Sequence, residues 1–240
     1  MSLKQKTITT ECGVSGVGLH TGAMVNLTFK PSENGQIIFV RTDLENAEIK
    51  TISANIVSTA RGTTIGVGEA TVSTIEHVMA ALSALGISSV IIEIDGPECP
   101  ILDGSSLELY AKLKKAGSKE LEADQDVLTI DSNIEFIDEE TGAEYFIVPS
   151  DSPRFTVMID YGSKVLPPQH AVMHSFADFE SEIAPNRTFC FLHELELLLE
   201  HNLIKGGGLD NAIVFVEHPM NDEKQAKLAK QFNQVDIRAT

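Results

Sequence analysis

Residues 73–94 constrain the fold more than any other stretch, because they carry a start, a period and a stop for one helix and then a compact strand. Ser73 and Glu76 fit the S-x-x-E capping box, in which each side chain satisfies a backbone N–H at the helix start. Ile75, Val78, Met79, Leu82 and Leu85 recur at helical spacing, and Gly86 is a natural stop. Val90 to Ile94 then forms an apolar run suited to a buried strand. His77 falls off the apolar stripe, on a face with Ala80, Ala81 and Ala84, small residues that leave room around an imidazole. Successive helical residues are about 100° apart, so Glu76 and His77 can both reach one metal-bound water. The alternative is a capping glutamate followed by an ordinary half-buried histidine.

The rest of the first half alternates short strands with a second helix. Val25, Leu27 and Phe29 alternate as in a strand with one wet face, and Gln36 to Arg41 is another compact run. Leu107 to Ala116 reads as a helix ended by Gly117. The polar segment 118–126 reads as a linker. After it, strands are expected at 127–130, 145–148 and 155–161, helices near 176–183, 193–201 and 222–232, and a strand at 212–216. Strands before helices, twice over, predict an α+β protein of two domains, 1–125 and 126–240, rather than a doubly wound sheet.

A chain of 240 residues can bury a substantial core. Its formal charge of −17 argues against nucleic acid as a partner, since phosphate contacts require a basic surface. The greasiest region, 78–94, is broken by Ser83, Gly86, Ser88, Ser89 and Glu93, so no membrane span is expected. The first residues lack an apolar run of the signal-peptide kind. Cys12, Cys99 and Cys190 are odd in number and widely spaced, which suits reduced thiols and a cytoplasmic setting.

Four further blocks stand in order with the Glu76–His77 helix. They are Gly16-Val17-Gly18-Leu19-His20-Thr21-Gly22, Pro97-Glu98-Cys99-Pro100-Ile101-Leu102-Asp103-Gly104, Asn186-Arg187-Thr188-Phe189-Cys190-Phe191, and Lys205-Gly206-Gly207-Gly208-Leu209-Asp210-Asn211. Together they closely resemble the zinc-dependent UDP-3-O-acyl-N-acetylglucosamine deacetylases of lipid A synthesis, from about Lys6 to about Val216. Read without that resemblance, Thr188 is a plain strand residue, and Asp103-Gly104-Ser105-Ser106 is a turn feeding a helix. Lys205 precedes its glycines, so the last block is no phosphate loop of the G-x-x-x-x-G-K-[ST] kind.

The resemblance implies two similar two-layer α+β domains packed helix face to helix face, the second incomplete and truncated before its last metal-binding helix. It implies a hydrolase that removes acetate from an acylated UDP-sugar, with zinc as cofactor. His77 matches the first zinc ligand, Glu76 the general base and Thr188 the hydroxyl that stabilises the oxyanion. His20 matches a residue near the substrate, Lys205 and Arg187 are placed to meet its diphosphate, and Phe189, Gly207 and the leucines of 195–203 match an apolar passage for the acyl chain.

The family's remaining ligands, from a His-Lys-x-Leu-Asp motif, and its general-acid histidine have no match here. His218 and Asp222 have suitable spacing, but Pro219 marks a strand-to-helix turn. The alternative to an enzyme is therefore a catalytically inactive acyl- and sugar-nucleotide-binding module with an incomplete zinc site. Some members of the family carry a fused dehydratase domain.

Overall fold

The computed structural model describes residues 3–152, 154–201 and 203–231. It is an α+β protein, and its first half is built around a five-stranded main sheet packed with two helices. Strands β1 (Lys4–Ile8), β2 (Cys12–Val17), β3 (Met24–Pro31), β4 (Ile37–Arg41) and β5 (Ala47–Lys50) come first. A small antiparallel sheet of β6 (Ile56–Ser58), β7 (Thr64–Val67) and β8 (Ala70–Val72) precedes helix α1 (Glu76–Ala84), strand β9 (Val90–Ile94) and helix α2 (Leu107–Ala116). The main sheet has the spatial order β2-β3-β9-β4-β5. All its neighbours are antiparallel except β9 and β4, whose parallel pairing requires the long crossover that carries α1.

Alternation along β3 turns Val25, Leu27 and Phe29 inward, where each is at most 1 % exposed. Leu27 and Phe29 meet Val78, Ala81 and Leu82 of α1 and Leu109 and Leu113 of α2 in the same core. Burying such a side chain contributes about 1.5–3 kcal/mol. Gly86 and Gly117 end the two helices with φ of +67° and +72°, the left-handed backbone that glycine adopts without a side-chain clash. Ala81, expected on the open face beside His77, is instead fully buried, because the stripe on α1 is broader than its large residues alone indicate.

Three sequence expectations are corrected. The segment expected as a linker is strand β10 (Ser118–Asp124), paired antiparallel with β1. Its residues are mostly exposed, so lysine and glutamate occupy the strand without the apolar alternation that would betray it. The strand expected at 127–130 is absent, because nothing pairs with that exposed, aspartate-flanked stretch. The helix expected at 176–183 is a short 3₁₀ turn, Phe176–Asp178, followed by a single π turn, Phe179–Ile183.

The second half holds hairpins β11 (Ile134–Ile137) with β12 (Glu144–Ile147) and β13 (Phe155–Ile159) with β14 (Gln169–Met173). Strand β15 (Phe189–Phe191) runs into helix α3 (Leu192–Glu200) and pairs in parallel with β16 (Ile213–Phe215), before helix α4 (Asp222–Gln231). Leu192, Leu195, Ile204 and Leu228 form its small core. Met173, Phe179 and Ala184 instead join the core of the first half, with Phe179 tilted against Tyr110 at 5.4 Å. No described helix is long and apolar enough to cross a membrane.

Candidate active site

The Glu76–His77 pair sits in the first turn of α1, but no capping box holds it there. Ser73 gives its N–H and its hydroxyl to the carbonyl of Pro97 and accepts the N–H of Cys99, which takes it away from the helix start. The Glu76 carboxylate accepts the backbone N–H of Thr63 at 3.0 Å. A Cβ on Gly62 would lie 2.9 Å from Glu76 Oε1, so the glycine before Thr63 clears the space the carboxylate occupies. The S-x-x-E pattern in the sequence reflects the site, and a true capping box forms between Ser175 and Asp178.

His77 is half-buried, and its Nε2 lies 3.4 Å from the Thr188 hydroxyl. Burial pushes the His77 pKa below the ordinary 6.5, against the opposing pull of Glu76 and then of Asp103. The ring is thus neutral at pH 7, the form that can donate a lone pair. Thr188 owes its place to the Asp103–Gly104 turn, whose Gly104 carbonyl accepts the Thr188 N–H at 2.8 Å. Arg187 Nε donates to the Asp103 carbonyl at 2.7 Å. Asp103 itself accepts from the N–H and hydroxyl of Ser105, which agrees with the structural reading of that block.

The His20 turn and the glycine-rich block also meet. Lys205 and Gly206 donate their N–H groups to the carbonyls of His20 and Leu19. A Cβ on Gly206 would lie 2.1 Å from the Gly18 carbonyl, which only glycine permits. His20 Nδ1 stands 3.0 Å from the Leu203 carbonyl, so Nδ1–H donates there and Nε2 is left free of that contact.

His20, Thr188, Phe189 and Gly207 line one cavity of about 400 Å³, with Leu195, Leu198, Ile204 and Val214. Most of this wall is apolar. Glu76 and His77 are outside the lining, with His77 meeting its wall through Thr188. Lys205 is exposed and does not line the cavity. Sequence reasoning missed Thr63, Arg61 at the cavity wall, and Glu98, a wholly buried carboxylate that binds the His20 turn. Only Glu98 had a signal in the sequence, as a charged residue inside an apolar proline-flanked run.

A hydrolytic zinc takes three protein donors. At this site His77 is the one histidine beside the Glu76 carboxylate, and among the described residues no group of three or more His, Cys, Asp or Glu could hold a metal ion. The described residues therefore do not by themselves fit the metal. His218 lies between β16 and α4, at the strand-to-helix turn that Pro219 indicates.

These observations define a class: an α+β protein that sets a threonine hydroxyl at the wall of an apolar cavity and a Glu–His pair behind it, in contact through that hydroxyl. The comparisons then name a family. The profile described as UDP-3-O-acyl N-acetylglycosamine deacetylase (LpxC) matches residues 5–233, and the chain belongs to that family. It is 42% identical over 229 residues to a bifunctional LpxC/FabZ enzyme of Bacteroides thetaiotaomicron, covering 95% of this chain and 50% of that protein. It is 43% identical over 217 residues to a UDP-3-O-acyl-N-acetylglucosamine deacetylase of Syntrophotalea carbinolica, covering 89% of this chain and 69% of that protein. A deacetylase of the same description from Myxococcus xanthus is 38% identical over 219 residues, with 90% and 69% covered. The chain spans about half the length of the bifunctional relatives it matches.

Proposed function

We propose that this chain carries the general base and the acyl passage of a deacetylase that releases acetate from UDP-3-O-acyl-N-acetylglucosamine in lipid A synthesis. The observation that supports the reading is the Thr188 hydroxyl at the wall of an apolar cavity, 3.4 Å from Nε2 of His77, the neighbour of Glu76. Glu76 takes a proton from the attacking water. Thr188 donates its hydroxyl to the oxyanion that develops on the acetamide. Phe189, Gly207 and the neighbouring leucines receive the acyl chain, while His20 Nε2 and the exposed Lys205 address the sugar nucleotide.

Zinc enters the proposal only as the family's cofactor, which when bound would supply Lewis-acid activation of the attacking water. His77 would be this chain's contribution to its ligands, and the described residues offer no complete set. The chain alone is then an inactive module that keeps the passage and the base. The two-domain division at about residue 125 and a cytoplasmic setting, in keeping with three free cysteines, are part of the same reading.

The test is acetate release from UDP-3-O-acyl-N-acetylglucosamine by the longest natural product that contains these residues. Release that depends on added zinc supports the proposal. No release from a folded, zinc-loaded product overturns it.

A further inference from the structure

Glu98 is 0 % exposed, and each group hydrogen-bonded to its carboxylate is a donor. The backbone N–H of His20 reaches its two oxygens at 3.0 and 3.1 Å, and the N–H and hydroxyl of Thr21 each reach Oε2 at 2.8 Å. From the opposite side the Thr74 hydroxyl donates to Oε1 at 3.0 Å. A carboxylate enclosed this way is satisfied without an opposing charge, since hydrogen bonds to an ionised acceptor are roughly twice as strong as neutral ones.

The two sides it joins are the two arms of the site. Thr74 sits two residues before Glu76 and holds φ at +57°, which is strained for a β-branched residue and persists only where its surroundings enforce it. Thr21 follows His20, at the cavity wall. The segment carrying Glu98 runs between them: it bridges Ser73 at Glu98 and Gly18 at Pro100, and Ile101 donates its N–H to the Val17 carbonyl. A Cβ on Gly18 would lie 2.5 Å from Glu98 Oε2, so the glycine is what admits the carboxylate to this position.

We propose that Glu98 is a positioning residue whose buried carboxylate ties the strained Thr74, and with it Glu76 and His77, to the His20–Thr21 turn. The geometric part stands on these contacts, and the catalytic part rests on the deacetylase reading. Losing the tie leaves both arms folded but free to shift, and a misplacement of about 1 Å costs on the order of 10²-fold in rate.

Two isosteric variants test the tie without removing the buried charge. Thr74→Val and Thr21→Val each delete one hydroxyl, and backbone amide resonances are followed in the ¹⁵N-labelled protein. Thr74→Val is expected to move the His20 and Thr21 amides, and Thr21→Val those of Glu76 and His77. Both cross-effects should vanish in a Glu98→Gln background. Perturbations confined to the mutated arm overturn the proposal, and this outcome is decisive even if Glu98→Gln does not fold.

Where Glu98→Gln does fold, kcat for acetate release should fall about 10²-fold with KM changed less than about twofold. An unchanged kcat overturns the catalytic part. Failure of the wild-type product to release acetate overturns the deacetylase reading instead, and leaves the cross-effects as the test of the tie.

Discussion

His77 Nε2 and the Thr188 hydroxyl, 3.4 Å apart, join two parts of the chain separated by 111 positions. The contact brings the first turn of α1 against the residue just before β15, and so sets the imidazole behind the Thr188 hydroxyl that lines the apolar cavity.

Gly206 and Gly207 are adjacent but should behave oppositely. A Cβ on Gly207 meets Ile204 at 3.4 Å, an ordinary contact, whereas one on Gly206 meets the Gly18 carbonyl at 2.1 Å. Gly206→Ala should therefore lower stability by about 1–3 kcal/mol, as overpacking does. Gly207→Leu should leave the melting temperature nearly unchanged and weaken long-chain acyl substrates more than short ones, each buried methylene contributing about 0.8 kcal/mol. An equal loss at all chain lengths would contradict the passage.

Much of this site was legible as sequence, and the reasons differ by residue. Glu76 and His77 stood beside a helical apolar period, and β3 and β9 showed themselves because one face or both are buried. Strand β10 was invisible because an exposed ribbon has no apolar face to alternate. The partner of Glu76 was misread because S-x-x-E specifies a local bond, while Thr63 is supplied by a turn thirteen positions away. Glu98 and Thr63 act through contacts that the fold makes, which no spacing rule encodes.

Arg41 is 5 % exposed and binds Asp43 through two bonds, Nε to Oδ1 at 2.9 Å and Nη2 to Oδ2 at 2.8 Å. These bonds hold the Asp43 carboxyl below its ordinary 3.8. A depressed folded pKa means the stabilisation is present above the unfolded value and is lost as pH falls through the folded one. The Asp43 side chain is 35% exposed, so solvent screening leaves the pair worth about 1 kcal/mol. Asp43→Asn should lower stability by about that at pH 7 and by progressively less below pH ~4, where the wild-type carboxyl titrates too. Equal losses at pH 7 and pH 2.5 in chemical denaturation would contradict this.

Cys99 is 1% exposed, and burial pushes its thiol far above the ordinary range. Burial also raises Cys190, which lines the cavity, and Cys12. Alkylation of the native protein should reach Cys12 and Cys190 slowly, faster with rising pH, and Cys99 only on unfolding. A long-chain acyl ligand should protect Cys190 and leave Cys12 unprotected. Rapid native labelling of Cys99, or protection of neither thiol, would contradict the cavity described above.

The 240-residue chain should retain little zinc after dialysis and release no significant acetate, because a tight catalytic site takes three protein donors and His77 is one. Stoichiometric retained zinc with turnover would contradict this and return His218 and Asp222 as ligand candidates.

The central claim is that Glu76 moves a proton. Its most direct test is Glu76→Gln in the longest natural product that contains these residues, measured as acetate release alongside zinc content and melting temperature. Glutamine keeps the acceptor that meets the Thr63 N–H but cannot take a proton from water. Turnover should fall by about 10²–10⁴-fold with zinc content and folding preserved. Wild-type turnover from the variant would contradict the account.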